Sequence, residues 1–261
     1  MNENKKHYDV ISEKAEKLME FLEYYRERLA SGKRDHVKIS SENNKMGPVP
    51  SVSLVPIATC PADAFNPLHG CAVDKNGKVT CYAARMGLFR EMIRKSYCKN
   101  TVLWYDKPEQ YEQDIRKYLD THKPAFFRWH VAGDIPATRT QDYINLVFTL
   151  AHNYPDTEFL IFTRRHVALN EYVRKNIDPL ESPRAYTDEY PDNLHILFSA
   201  WDKPLSEKRN PYKFPQTIVI EKGKEIPDGC KTCPGNCFEC GCRGTGCWTL
   251  KPGDVLAFEM H

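Results

Sequence analysis

No stretch of this chain approaches the roughly 20 consecutive apolar residues that a membrane-crossing helix needs, so no membrane partner is expected. A secretory leader is missing too. Met1 runs through Asn2, Glu3 and Asn4 into a charged helical pattern rather than an apolar core. Charge of one sign is scarce: 37 Lys and Arg against 35 Asp and Glu leave a formal net charge of +2. That balance lacks the basic bias of a dedicated nucleic-acid binder, although a local cluster such as Arg164-Arg165-His166 can still meet phosphates. The missing leader bears on the ten cysteines, which in a reducing cytoplasm serve as metal ligands or catalytic groups more often than as cross-links. The expectation is an intracellular metalloprotein.

Three stretches differ in pattern. Residues 1–46 hold an amphipathic helix, with Ile11, Ala15, Leu18, Met19, Leu22 and Tyr25 at three- and four-residue steps, then a polar linker from Ser40 to Gly47. Residues 47–222 alternate strands and helices. Strands are predicted at Ser51–Thr59, Pro124–Asp134, Thr157–Thr163, Leu194–Trp201 and Gln216–Glu221, and helices at Cys81–Tyr97, Pro108–His122, Thr138–Asn153 and Val167–Lys175. Residues 223–261 are cysteine-rich and close on a strand from Val255 to His261. Such alternation implies parallel strands joined by right-handed crossovers. The strand ends read Cys60, Asp134, Thr163 with Arg164 and Arg165, Ser199 with Asp202, Glu221 and His261. Polar residues at that rim suggest an α/β fold, a partial, open (β/α)6 barrel with chemistry at its mouth. Within the second strand, period-two alternation predicts Arg128, His130 and Asp134 on one face and Phe127, Trp129 and Val131 on the other.

The cysteines form two groups. Cys60, Cys71 and Cys81 follow the first strand, with Cys98 trailing. Three thiolates suit three irons of a [4Fe-4S] cluster, leaving one iron open to another ligand. Zinc bound by these three and His69 competes, as do unligated thiols, and the gaps between the cysteines are looser than in compact iron-sulfur motifs. Cys98 is either a fourth ligand or a core thiol. The second group is denser: Cys230, Cys233, Cys237, Cys240, Cys242 and Cys247 lie in a segment with few large apolar side chains, which needs a metal staple to fold. Four thiolates complete one zinc site or one cubane, six suit two zincs with bridging sulfurs, and His261 is either a further ligand or an exposed terminal residue.

Cys60-Pro61, Cys81-Tyr82-Ala83, the run Phe127 to Ile135, Phe159 to Arg164, Asn193 to Ser199, and Cys247-Trp248 with a last His together resemble the phage-encoded gene product 88 family, over about residues 51–261. That family is similar to radical-SAM enzymes in placing three cysteines after its first strand. The resemblance implies iron-sulfur chemistry on a radical-SAM-type, TIM-like partial barrel in the cytoplasm of a bacterial host, with S-adenosylmethionine or a substrate on the open iron. No Gly-Gly-Glu-type segment for its amino group is visible; Gly133-Asp134 occupies the comparable place. Asp134, His130 and Arg128 would orient the ligand, and Arg164 or Arg165 would pair a carboxylate or phosphate. The competing reading is a non-catalytic, zinc-stapled module docking on nucleic acid or a host protein.

Overall fold

A computed structural model describes residues 18–66, 70–72, 80–177, 190–221 and 223–259. Ile11, Ala15, His69 and His261, all singled out above, lie outside them. The described part of the N-terminal helix, α1, covers 18–30. Its Leu22 and Leu29 join the main core, so the amphipathic stripe is spent on packing.

One eight-stranded sheet organises the chain. In chain order its strands are β1 (Ile39–Ser40), β2 (Ser51–Val52), β3 (Phe126–Trp129), β4 (Glu158–Thr163), β5 (Leu194–Trp201), β6 (Gln216–Ile220), β7 (Lys231–Thr232) and β8 (Val255–Glu259), and their spatial order is β1-β2-β3-β4-β5-β6-β8-β7. Only β1 pairs antiparallel. The other seven described strands therefore run parallel, in the order β2, β3, β4, β5, β6, β8, β7, and the sheet stays open, edged by the two-residue strands β1 and β7. All three stretches of the sequence contribute strands to it. Among the described residues no helix is long and apolar enough to cross a membrane.

The helices are α2 (Tyr82–Phe89), α3 (Glu91–Asp106), α4 (Pro108–His122), α5 (Thr140–Asn153), α6 (His166–Asn176) and the short α7 (Cys237–Cys242). Buried residues of α3 to α6 pack with Val52, Phe127, Trp129, Phe159, Ile161, Ile196 and Phe198, which all point to one face of the sheet. The alternate residues Leu160, Leu197 and Leu256, with Phe126, Phe162 and Phe258 around them, face the other way. Among the described residues that second face carries no crossover helix. The cysteine-rich segment covers it, through Cys240, Cys247 and Trp248.

Three expected elements end differently. The first strand stops at Val52, because Ile57 takes a left-handed φ of 74° and the Thr59 hydroxyl and amide both fold back onto the Val55 carbonyl. The expected helix Cys81–Tyr97 is two helices, broken where Arg90 adopts an extended conformation and starts α3. β3 ends at Trp129, and His130, with φ 55°, swings its ring against Trp129 and Tyr143 on the helical side. His130 therefore does not share a face with Arg128, which corrects the alternation expected for that strand.

Candidate functional site

The carboxyl ends of β2, β3 and β4 meet through Asp134. Its Oδ1 accepts from the Thr163 hydroxyl at 2.6 Å and the Ile135 amide at 2.7 Å, and its Oδ2 accepts from the Arg164 amide at 2.8 Å. The Asp134 amide donates to Thr59 Oγ1 at 3.0 Å, tying in the loop after β2. Burial pushes this carboxyl up to about 6, against the pull of those hydrogen bonds and of Arg165. Gly133 makes the close approach possible: at φ 81° a Cβ would lie 2.8 Å from both the Leu54 carbonyl and Thr59 Oγ1. Arg165 completes the knot, donating to the Ile135 and Thr59 carbonyls, each at 2.8 Å. Arg165 is thus occupied with backbone, and Arg164 is the arginine that faces the early cysteines.

The loop after β2 draws Cys60, Cys71 and Cys81 to one rim in spite of their spacing, near enough to influence one another's charge but not to share an ion. Two clasps do this. Ala72 N donates to the Ala64 carbonyl at 2.8 Å, drawing Cys71 back toward Cys60, and Thr80 N donates to the Ala72 carbonyl at 3.0 Å, closing the neck between Cys71 and Cys81. Gly70 allows the first clasp, since a Cβ there would meet the Ala64 carbonyl at 2.2 Å. Sulfur positions are fixed by backbone amides: Ile57 N donates to Cys60 Sγ at 3.4 Å and Ala84 N to Cys81 Sγ at 3.5 Å. Burial raises all three thiols. Asp134 and the other two cysteines push Cys60 further, and Cys71 is pushed up to about 11 although Arg164 opposes the shift. Thiols raised in this way keep their protons at neutral pH, as thiols shielded from water do. Among the described residues no three His, Cys, Asp or Glu side chains converge closely enough to hold an ion as they stand. Ligation requires the sulfurs to draw in around it.

The late cysteines divide. Cys233, Cys237, Cys240 and Cys247 share one apolar cluster against the sheet, whereas Cys230 packs elsewhere, beside Ala200, Ile218 and Ala257, and Cys242 is exposed. Burial and then Cys237, Cys233 and Cys240 raise the Cys247 thiol, so these four sulfurs feel one another. The segment is seated by the Trp248 indole donating to the Cys237 carbonyl at 2.8 Å and by Gly241, where a Cβ would come within 2.5 Å of the Phe126 ring. Arg128 belongs here. Its Nη1 donates to Cys237 Sγ at 3.7 Å and its guanidinium lies 4.6 Å over Phe162.

Of the residues expected to orient a ligand, Asp134 and Gly133 sit beside the early thiols, Arg128 serves the late ones, and His130 is in the helical core. There its Nε2 meets the Tyr143 hydroxyl at 2.7 Å, and burial lowers it to about 3, so it is neutral. Cys98 is fully buried with its thiol toward the Leu18 carbonyl at 3.7 Å, a core thiol between α1 and α3. The contributions of Thr59 and Arg165 were not visible in the sequence, since both act on backbone atoms far along the chain.

An open, mostly parallel α/β sheet with its polar strand ends drawn together defines the class. The model of the family described as Gene product 88 matches residues 25–212, and the chain belongs to this phage gene product family. The match begins inside α1, earlier than the motifs suggested, and stops before the cysteine-rich segment, so Cys60, Cys71 and Cys81 lie within it and the late cysteines do not. No curated protein and no solved structure matches the chain.

Proposed function

We propose that this is an iron-sulfur protein of radical-SAM-like type, in which Cys60, Cys71 and Cys81 hold a [4Fe-4S] cluster at the carboxyl ends of the parallel strands. The observation that supports it most is the double clasp at Ala72, which draws the loop bearing three half-buried free thiols back to that rim. The sequential order of β2, β3, β4, β5, β6 and β8, with crossover helices on one face, suits a partial barrel of that type. A cluster held by three thiolates supplies one-electron chemistry at an iron left open to S-adenosylmethionine or a substrate. The chain's own residues supply position. Asp134 ties the ends of β3 and β4 to the thiol loop, Gly133 brings backbone close to the rim, and Arg164 sets positive charge beside Cys71.

Cys233, Cys237, Cys240 and Cys247 form a second, four-thiolate centre for zinc or a cluster, with Arg128 offsetting its negative charge. Its role is to fasten the cysteine-rich segment to the sheet face opposite α3 to α6. Anaerobic purification tests the whole reading. About four irons with matching labile sulfide should accompany the early thiols, and their electron paramagnetic resonance signal should change when S-adenosylmethionine is added. Colourless protein replete in zinc alone would instead leave a metal-stapled docking module.

A further inference from the structure

A cluster of side chains beside the early thiols is unexplained by ligation of a metal. Arg164, at the end of β4, is buried, and its Nη2 reaches Asp63 Oδ2 at 3.5 Å. Arg209, from the loop after β5, is exposed and reaches the same oxygen at 3.3 Å. Two guanidiniums thus share one carboxylate oxygen, at distances longer than the roughly 2.7–2.9 Å of a fully formed charge-assisted pair. The other oxygen, Oδ1, is buried without a partner. His166, the first residue of α6, is only 2% exposed, and its ring nitrogens find no side-chain hydrogen-bond partner, the Ser199 backbone being the hydrogen-bonding group beside the ring. Its ring stands against Phe198 at 4.7 Å, with the Ser199 backbone, Arg164, Asp63 and Arg209 as the polar groups around it. The Ser199 backbone can satisfy one ring nitrogen and leaves the other bare, which costs on the order of 1–3 kcal/mol that a bound anion would remove. α6 begins there with no side-chain cap and no acidic residue in its first turn, and its dipole adds to the positive field.

We propose that Arg164, His166 and Arg209 form a subsite for an anionic oxygen group, a carboxylate or phosphate, on a small-molecule ligand held next to Cys71. The assignment deepens the function proposed above, and rests on it for what becomes of the ligand but not for binding. Asp63 is the internal occupant. Its carboxylate lies between the two guanidiniums, and an incoming anion takes that place while the neutral imidazole donates its N–H. Asp63 lies in the loop between Cys60 and Cys71, so its release couples anion binding to the thiol loop.

Calorimetric titration of the full chain with inorganic phosphate and, separately, with succinate at constant ionic strength tests this. Saturable binding of one of them is expected, and which one names the group. Arg209→Gln, an exposed change, should weaken it roughly tenfold, the worth of one charge-assisted contact. Asp63→Asn should tighten it, because the competitor loses its charge; a purely structural ion pair would not give that sign. The His166 ring nitrogens should shift on titration in nuclear magnetic resonance spectra of the full chain as isolated. Saturation by neither anion, or binding indifferent to both substitutions, overturns the subsite. Colourless protein that still binds phosphate or succinate in this manner keeps the subsite and removes the redox reading, whereas iron-replete protein that binds neither removes the subsite alone.

Discussion

Gly133 is where the geometry of the rim is most exposed to a single change. An alanine there must hold φ near 81°, and its Cβ would stand 2.8 Å from the Leu54 carbonyl and 2.8 Å from Thr59 Oγ1. The left-handed conformation costs roughly 1–2 kcal/mol, and forcing a methyl group into packed backbone roughly 1–3 kcal/mol. A total of about 3 kcal/mol follows. With an unfolding entropy of about 2.1 cal/mol/K per residue over 261 residues, Gly133→Ala should lower the melting temperature by about 6 °C. Gly229 is the control, with φ 78° and nothing within 4 Å of an added Cβ, so Gly229→Ala carries the conformational cost alone and should lose about 2–3 °C. Scanning calorimetry on both variants isolates the steric part. Because Leu54 and Thr59 lead into Cys60, Gly133→Ala should also quicken modification of that thiol by a disulfide reagent. Equal melting temperatures for the two variants would refute the close approach of β3 to the thiol loop.

His130 is held neutral down to about 3 by burial and then by Arg128, so in the unfolded chain it takes up a proton that the folded chain refuses between about 6.5 and 3. Acid therefore destabilises through it, by roughly 2 kcal/mol between pH 7 and 5, and His130→Asn, which tolerates the left-handed φ, should flatten that part of the urea-denaturation profile relative to the parent. Asp134 acts with the opposite sign. Its carboxyl, raised to about 6, binds a proton in the folded state first, so stability from this group grows as pH falls through 6, and the comparison with the parent cancels it. Arg165→Lys should cost about 2 kcal/mol in chemical denaturation, since an ammonium cannot span the Ile135 and Thr59 carbonyls as the guanidinium does; an unchanged midpoint would remove Arg165 from the knot. Cys242→Ser should leave the metal content of the C-terminal centre intact and Cys247→Ser should abolish it, and equal loss in both would point to the six-thiolate, two-zinc arrangement.

Much of the framework is legible in residue pattern. β5 spans Leu194–Trp201 and α4 spans Pro108–His122, as read directly from the sequence, because a proline and an apolar run with turn formers before it punctuate those elements locally. That Cys60 follows the first strand was also readable. The clasps that overcome the long spacing of Cys60, Cys71 and Cys81 were not, since they are backbone bonds among Ala64, Ala72 and Thr80, residues without chemistry of their own. His130 misled for a related reason: alternation assumes continuous extended backbone, and one left-handed residue reverses every face that follows. Arg90 shows the same limit in a helix, where an extended residue among good helix formers leaves no mark on apolar periodicity. The division of the late cysteines depends on the sheet face they pack against, which β3, β4 and β5 create together far upstream.

Iron analysis of anaerobically isolated protein, set beside the same analysis after Cys60, Cys71 and Cys81 are all replaced by Ala, tests the central claim most directly. The account predicts loss of about four irons with the metal bound by Cys233, Cys237, Cys240 and Cys247 retained. An unchanged iron content in the triple variant, or no iron in the parent, would contradict it.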